Sequence, residues 1–66
     1  MIFKLHDTIK IKRDRKDANV KKGDIGTIID IHDQGEAFSI EFFDADNETI
    51  MESMLKIFYP EEIERI

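Results

Sequence analysis

Cysteine is missing from this 66-residue chain, which excludes disulfide bridges and thiolate zinc sites as supports for the fold. Long apolar runs are missing too: the longest hold three residues, as in Ile57–Tyr59, far short of the roughly 20 that a membrane-spanning helix needs. The opening "MIFKLHDT" lacks the apolar core of a secretory signal, so a cytoplasmic protein of bacterial type, without a membrane partner, is expected. No repeat, low-complexity tract or linker interrupts the chain, and residues 1–66 are expected to form one domain. A chain this short buries only about 60% of its unfolded surface, so either its core is efficient or a second subunit covers part of it.

What is present is apolar enough to fold. Hydrophobic residues make up 41% of the chain and recur in every segment, which argues against disorder. The net charge is −5, but it is segregated. Residues 1–24 hold eight basic residues against four acids, a net +4, whereas residues 25–66 hold two against eleven, a net −9. An evenly acidic chain would repel phosphate, but a local basic segment need not.

"TIKIKR" (Thr8–Arg13) alternates, with Ile9 and Ile11 on one face and Thr8, Lys10 and Lys12 on the other, as in a half-buried strand. The polar stretch Asp14–Asp24 reads as a long loop. It ends in Lys21-Lys22-Gly23-Asp24, which suits a type II turn with Gly23 at positive φ. "IGTIIDIH" (Ile25–His32) is a strand whose apolar residues break the period of two, which a bulge or sharp bend would resolve by shifting parity within it. Gly26 fits a bend or close backbone approach there. Asp33–Glu36 turns the chain, with Gly35 left-handed.

"AFSIEFFD" (Ala37–Asp44) alternates again, with Phe38, Ile40 and Phe42 inward and Phe43 outward. After a turn around Asn47, "ETIMESML" (Glu48–Leu55) suits strand or short helix on pattern alone. Taken as a strand, it places Met51 and Leu55 in the core and Ile50 and Met54 outside. A helical turn begins at Pro60, and a last strand covers Ile63–Ile66. Five short strands at this spacing predict an all-β fold, a small five-stranded barrel with one short helical turn near the C-terminus. Closure would also remove exposed strand edges. Ile11, Ile31, Phe38, Ile40 and Phe42 are the expected centre of the core.

The stretches "LHDTIKIKRD", "VKKGDIGTIIDI", "GEAFSIEFFDADNETI" and "EEIERI" resemble a bacterial family of about this length known only as a domain of unknown function. The resemblance implies an SH3-like barrel and no activity. The block "KKGDIGTIIDI" also resembles the KOW motif of ribosomal and transcription-elongation proteins. The loop "RKDANV" departs from the proline-containing form of the family.

Catalytic chemistry finds little support. His6 and His32 lie in no recognisable catalytic spacing with the chain's hydroxyls, so no catalytic residue is assigned. "DADNE" (Asp44–Glu48) alternates like the start of a calcium loop. The glycine and the bidentate glutamate that such a loop requires are replaced by Thr49 and Leu55, so a turn is expected and no metal or cofactor.

Two binding surfaces remain. Phe43, Ile50, Met54, Phe58 and Tyr59 form a surplus of outward apolar residues suited to a protein partner or a second copy of the chain. Lys10, Lys12, Arg13, Arg15, Lys16, Lys21 and Lys22 form a candidate phosphate-binding segment. It lacks aromatic platforms, since no Phe, Tyr or Trp lies between Lys4 and Ala37. The first reading is a non-enzymatic acidic protein-interaction module, in its concrete form a toxin-neutralising or immunity-type protein or a homodimer. The alternative is a KOW-like accessory that binds nucleic acid or ribonucleoprotein.

Overall fold

In the computed structural model, which describes residues 3–66, the alternating stretch Thr8–Ile11 is strand β1. Its Ile9 and Ile11 are buried, as the period of two requires. Strand β2 covers Ile25–His32, β3 Ala37–Phe43 and β4 Ile63–Arg65. All pairings are antiparallel and the order is β3-β2-β1-β4. The protein is thus mostly β, with short 3-10 turns and no α-helix among the described residues, none of whose helices could cross a membrane.

The broken period of β2 is a bulge. Ile28 faces Ile40 and Asp30 faces Ser39, so Ile29 is the extra residue and stands partly exposed. Gly26 lies in the row Ile9–Gly26–Phe42 across three strands. A Cβ there would sit 2.8 Å from Ile40 Cγ2 and 2.9 Å from both the Glu41 carbonyl and Phe42 Cδ1. Glycine is therefore required by space at this position rather than by its dihedral freedom. Gly23 does need that freedom, with φ +95°, and the Asp24 N–H donates to the Lys21 carbonyl at 2.9 Å to close the expected turn. At the β2–β3 tip, Asp33 and Gln34 join Gly35 in the left-handed region.

The five-stranded closed barrel is not what forms. The expected fourth strand over Glu48–Leu55 is instead a 3-10 helix at Met51–Leu55, which leaves an open sheet of four strands. The reason lies at Ser53, which is buried. Its hydroxyl donates to the Ile50 carbonyl at 2.6 Å and accepts from the Phe42 N–H at 3.4 Å, while the Ile50 N–H donates to the Phe42 carbonyl at 2.8 Å. One hydroxyl and one amide thus satisfy the free edge of β3 at Phe42 without a ladder. Further along that edge, Phe38 and Phe58 exchange both backbone bonds, at 2.8 and 2.9 Å, as an isolated bridge.

Packed against the sheet are Phe3, Ile9, Ile11, Ala18, Val20, Ile28, Phe38, Ile40, Phe42, Ile50, Phe58 and Ile63. Phe42 meets Phe58 edge-on at 5.0 Å, and Phe3 meets Phe38 at 5.6 Å. Four of the five residues expected at the centre are there; Ile31, beyond the bulge, is only half-buried. The loop after β1 is ordered: Arg15 and Val20 exchange backbone bonds around a 3-10 turn at Lys16–Ala18, with Asn19 left-handed. Ala18 and Val20 thereby reach the core.

Candidate interaction surface

Because the segment after β3 is 3-10 rather than strand, burial there follows a period of three. Ile50 and Ser53 face inward. This inverts the expected parity. Ile50 is 7% exposed and belongs to the core, whereas Met51 at 67% and Leu55 at 83% stand in solvent. Phe58, expected outside, is fully buried under the Arg15 guanidinium, whose Cζ lies 4.7 Å from the ring centre. Phe43 is half-buried on the outer face of the sheet beside Ile25. Met54 and Tyr59 are exposed as expected.

The cluster Phe43, Ile50, Met54, Phe58 and Tyr59 therefore does not exist as one surface. A different set of apolar side chains is exposed. Nine large apolar residues are exposed among those described, and five of them, Met51, Met54, Leu55, Ile57 and Tyr59, fall within nine consecutive residues. Their segment is pinned to the fold at three points: the Ile50 amide on Phe42, the Ser53 hydroxyl, and the Phe58–Phe38 bridge. Arg15 adds a bond from Nη1 to the Ile57 carbonyl at 3.1 Å. The exposed side chains thus stand on a held backbone. Sequence reading missed Met51, Leu55 and Ile57; the signal that could have found them is the i, i+3 spacing of Ile50 and Ser53.

Next to Met51 lies an open cleft of about 650 Å³, lined in part by Lys21, Asp24, Asp44, Thr49 and Glu52. The Asp44 carboxylate holds the turn beside it, with Oδ1 accepting from the Asp46 and Glu48 amides at 2.9 and 3.0 Å. No cluster of potential metal ligands occurs among the described residues.

The basic segment divides in two. Arg15 is drawn inward: Nη1 reaches both carboxylate oxygens of the buried Glu62 at 3.0 Å, and its other nitrogens grip Asp17 at 2.9 and 3.0 Å. Asp17, with help from Glu62, raises the Arg15 pKa further above its usual value despite partial desolvation. The same hydrogen bonds hold the Asp17 carboxyl below the ordinary aspartate range. Arg13 also reaches Glu62, at 3.2 Å, and Lys10 pairs with Glu64 at 3.4 Å. Lys12, Lys16, Lys21 and Lys22 are exposed and make no ion pair among the described residues.

One hydroxyl does meet a histidine. His32 Nε2 lies 2.8 Å from Ser39 Oγ across the β2–β3 pair. The nearby Asp30 turns Oδ1 to the Ile31 amide at 2.9 Å rather than to the ring. A serine nucleophile works with an oriented base and an oxyanion site, and this pair sits on a paired strand face with no orienting carboxylate bonded to the imidazole.

Comparison with curated proteins and with solved structures returns no match to this chain. A family model does match, over residues 5–57, from just before β1 to the last residue before the Phe58 bridge. That span takes in β1, β2, β3 and the 3-10 segment, and on its strength the chain belongs to the family described as Domain of unknown function (DUF4926).

Proposed function

We propose that this protein is a non-enzymatic protein-interaction module whose contact surface is the segment from Met51 to Tyr59. The observation that carries this reading is the concentration of five of nine exposed large apolar side chains on that one pinned segment. Exposed apolar residues scattered singly are ordinary, whereas their concentration on one short segment supports a contact site there. Two of the five are methionines, whose flexible thioethers adapt to a partner's shape, and Tyr59 supplies a ring with a polar tip for the rim. The toxin-neutralising form of the reading rests on the same surface together with the −9 charge of residues 25–66, which would suit a basic active site.

The test is a photo-crosslinking side chain at position 55, compared with the same group at position 29 on the bulge, in cells that normally make the protein. A discrete protein adduct from position 55 and not from position 29 is expected. Equal, diffuse adducts from both positions would contradict the reading. So would tight binding of single-stranded RNA or DNA that survives physiological ionic strength, which would instead favour the exposed lysines Lys12, Lys16, Lys21 and Lys22.

A further inference from the structure

The charges beside the apolar segment narrow the choice of occupant. Asp24, Asp44 and Glu52 line the cleft next to Met51, against the single ammonium of Lys21. Neither these three carboxylates nor those of Asp46 and Glu48 join an ion pair among the described residues. Asp44 uses Oδ1 on the turn, and Asp24 uses Oδ2 on the Lys21 amide at 3.0 Å, so each keeps one oxygen without a hydrogen-bond partner among the described residues.

A purely apolar partner laid over Met51 and Leu55 would strip water from these carboxylates and return nothing. A second copy docking with this cleft at the two-fold axis would bring Asp44 and Glu52 close to the same residues of its mate, like charge near like charge. Three carboxylates against one ammonium disfavour a phosphate in this cleft.

Resting on the interaction reading above, we infer that the occupant is a protein segment both cationic and amphipathic. Its lysine or arginine side chain enters the cleft between Asp24, Asp44 and Glu52, and its apolar face covers Met51, Met54 and Leu55. The apolar contact supplies the adhesion, and the carboxylates select the sign of the partner and hasten its encounter.

The experiment titrates the protein with a lysine–leucine peptide patterned as an amphipathic helix and with its glutamate–leucine counterpart, read by amide chemical shifts at physiological ionic strength. The lysine peptide is expected to saturate and to shift residues 44–55, and the glutamate peptide to do neither. Glu52→Lys should weaken the lysine peptide by about two- to fivefold, the upper part of the range for one exposed ion pair. Leu55→Ser should weaken it too, and both variants should keep the parent's melting temperature.

Equal binding of both peptides, shifts confined to the Asp30–Glu36 turn, no binding, or an unchanged affinity in Glu52→Lys would each overturn the inference. If sizing moves with protein concentration and Leu55→Ser resets it, a second copy is the occupant. The cationic inference then fails while the interaction surface stands. If the crosslink at position 55 is also blank, both fail.

Discussion

Glu62 accepts hydrogen bonds from Arg13, from Arg15 and from the Tyr59 amide while only 2% exposed. Removing its charge would leave the Arg15 guanidinium half-paired over Phe58. Glu62→Gln should therefore cost about 3 kcal/mol, the low end for a broken buried pair because Arg15 keeps Asp17. Arg13→Gln, at the exposed end of the same network, should cost less than about 1 kcal/mol. Denaturant unfolding of the two variants would separate them, and equal costs would mean Arg15 does not carry the network. Asp17 adds a pH dependence. Its folded pKa is depressed by Arg15, so the stability it contributes is present above the ordinary aspartate range and is lost as pH falls through its lowered value. In a carboxyl-shift titration Asp17 should titrate at lower pH than the same residue in Arg15→Gln; coincident curves would contradict the contact. None of this was legible in the sequence. Arg15 and Glu62 stand 47 residues apart, and nothing local to either marks the other as its partner.

Strand β2 is the element that shows how far periodicity carries. Its apolar pattern demands a parity shift, and the bulge at Ile29 supplies it. Its glycine suits a bend or a close approach, and Ile40, Phe42 and the Glu41 carbonyl make it the latter. Gly26→Ala should cost about 1–3 kcal/mol through overpacking, visible as a lower denaturation midpoint with unchanged slope. A neutral effect would mean that β3 moves aside without strain. The segment after β3 shows where periodicity fails. Eight residues with Ile50, Met51, Met54 and Leu55 fit two parities as a strand and a third arrangement as a 3-10 turn. The choice is made by the Ser53 hydroxyl meeting the Phe42 edge, a contact 11 residues away. Because that choice decides which side chains face solvent, the candidate surface was misplaced when the barrel was, and Ile50 and Phe58 changed places with Met51 and Leu55. The four strands that form, their turns at Gly23, Gly35 and Asn47, and the exposure of Met54 and Tyr59 were readable because each follows from local pattern.

Over the whole molecule, part of the segregated charge forms a clasp. Lys10–Glu64, Arg13–Glu62 and Arg15–Glu62 tie the basic start of the chain to its acidic end, and Asp7–Arg65 closes the same seam. The pairing of β1 with β4 brings them together. Three of the seven basic residues from Lys10 to Lys22 are thereby turned to holding the C-terminal end in place. Lys12, Lys16, Lys21 and Lys22 make no ion pair among the described residues, and the exposed apolar side chains between Met51 and Tyr59 take no part in the core. The most direct test of that claim compares thermal melting and partner or peptide binding for Leu55→Ser and Ile50→Ser. Leu55→Ser should change stability by no more than about 0.5 kcal/mol, as expected for an exposed position, and weaken binding. Ile50→Ser should lose the cooperative melt, because it puts a hydroxyl in the core of a marginal domain. If Leu55→Ser instead melts as Ile50→Ser does, Leu55 is core, and the surface proposed here is not free to bind anything.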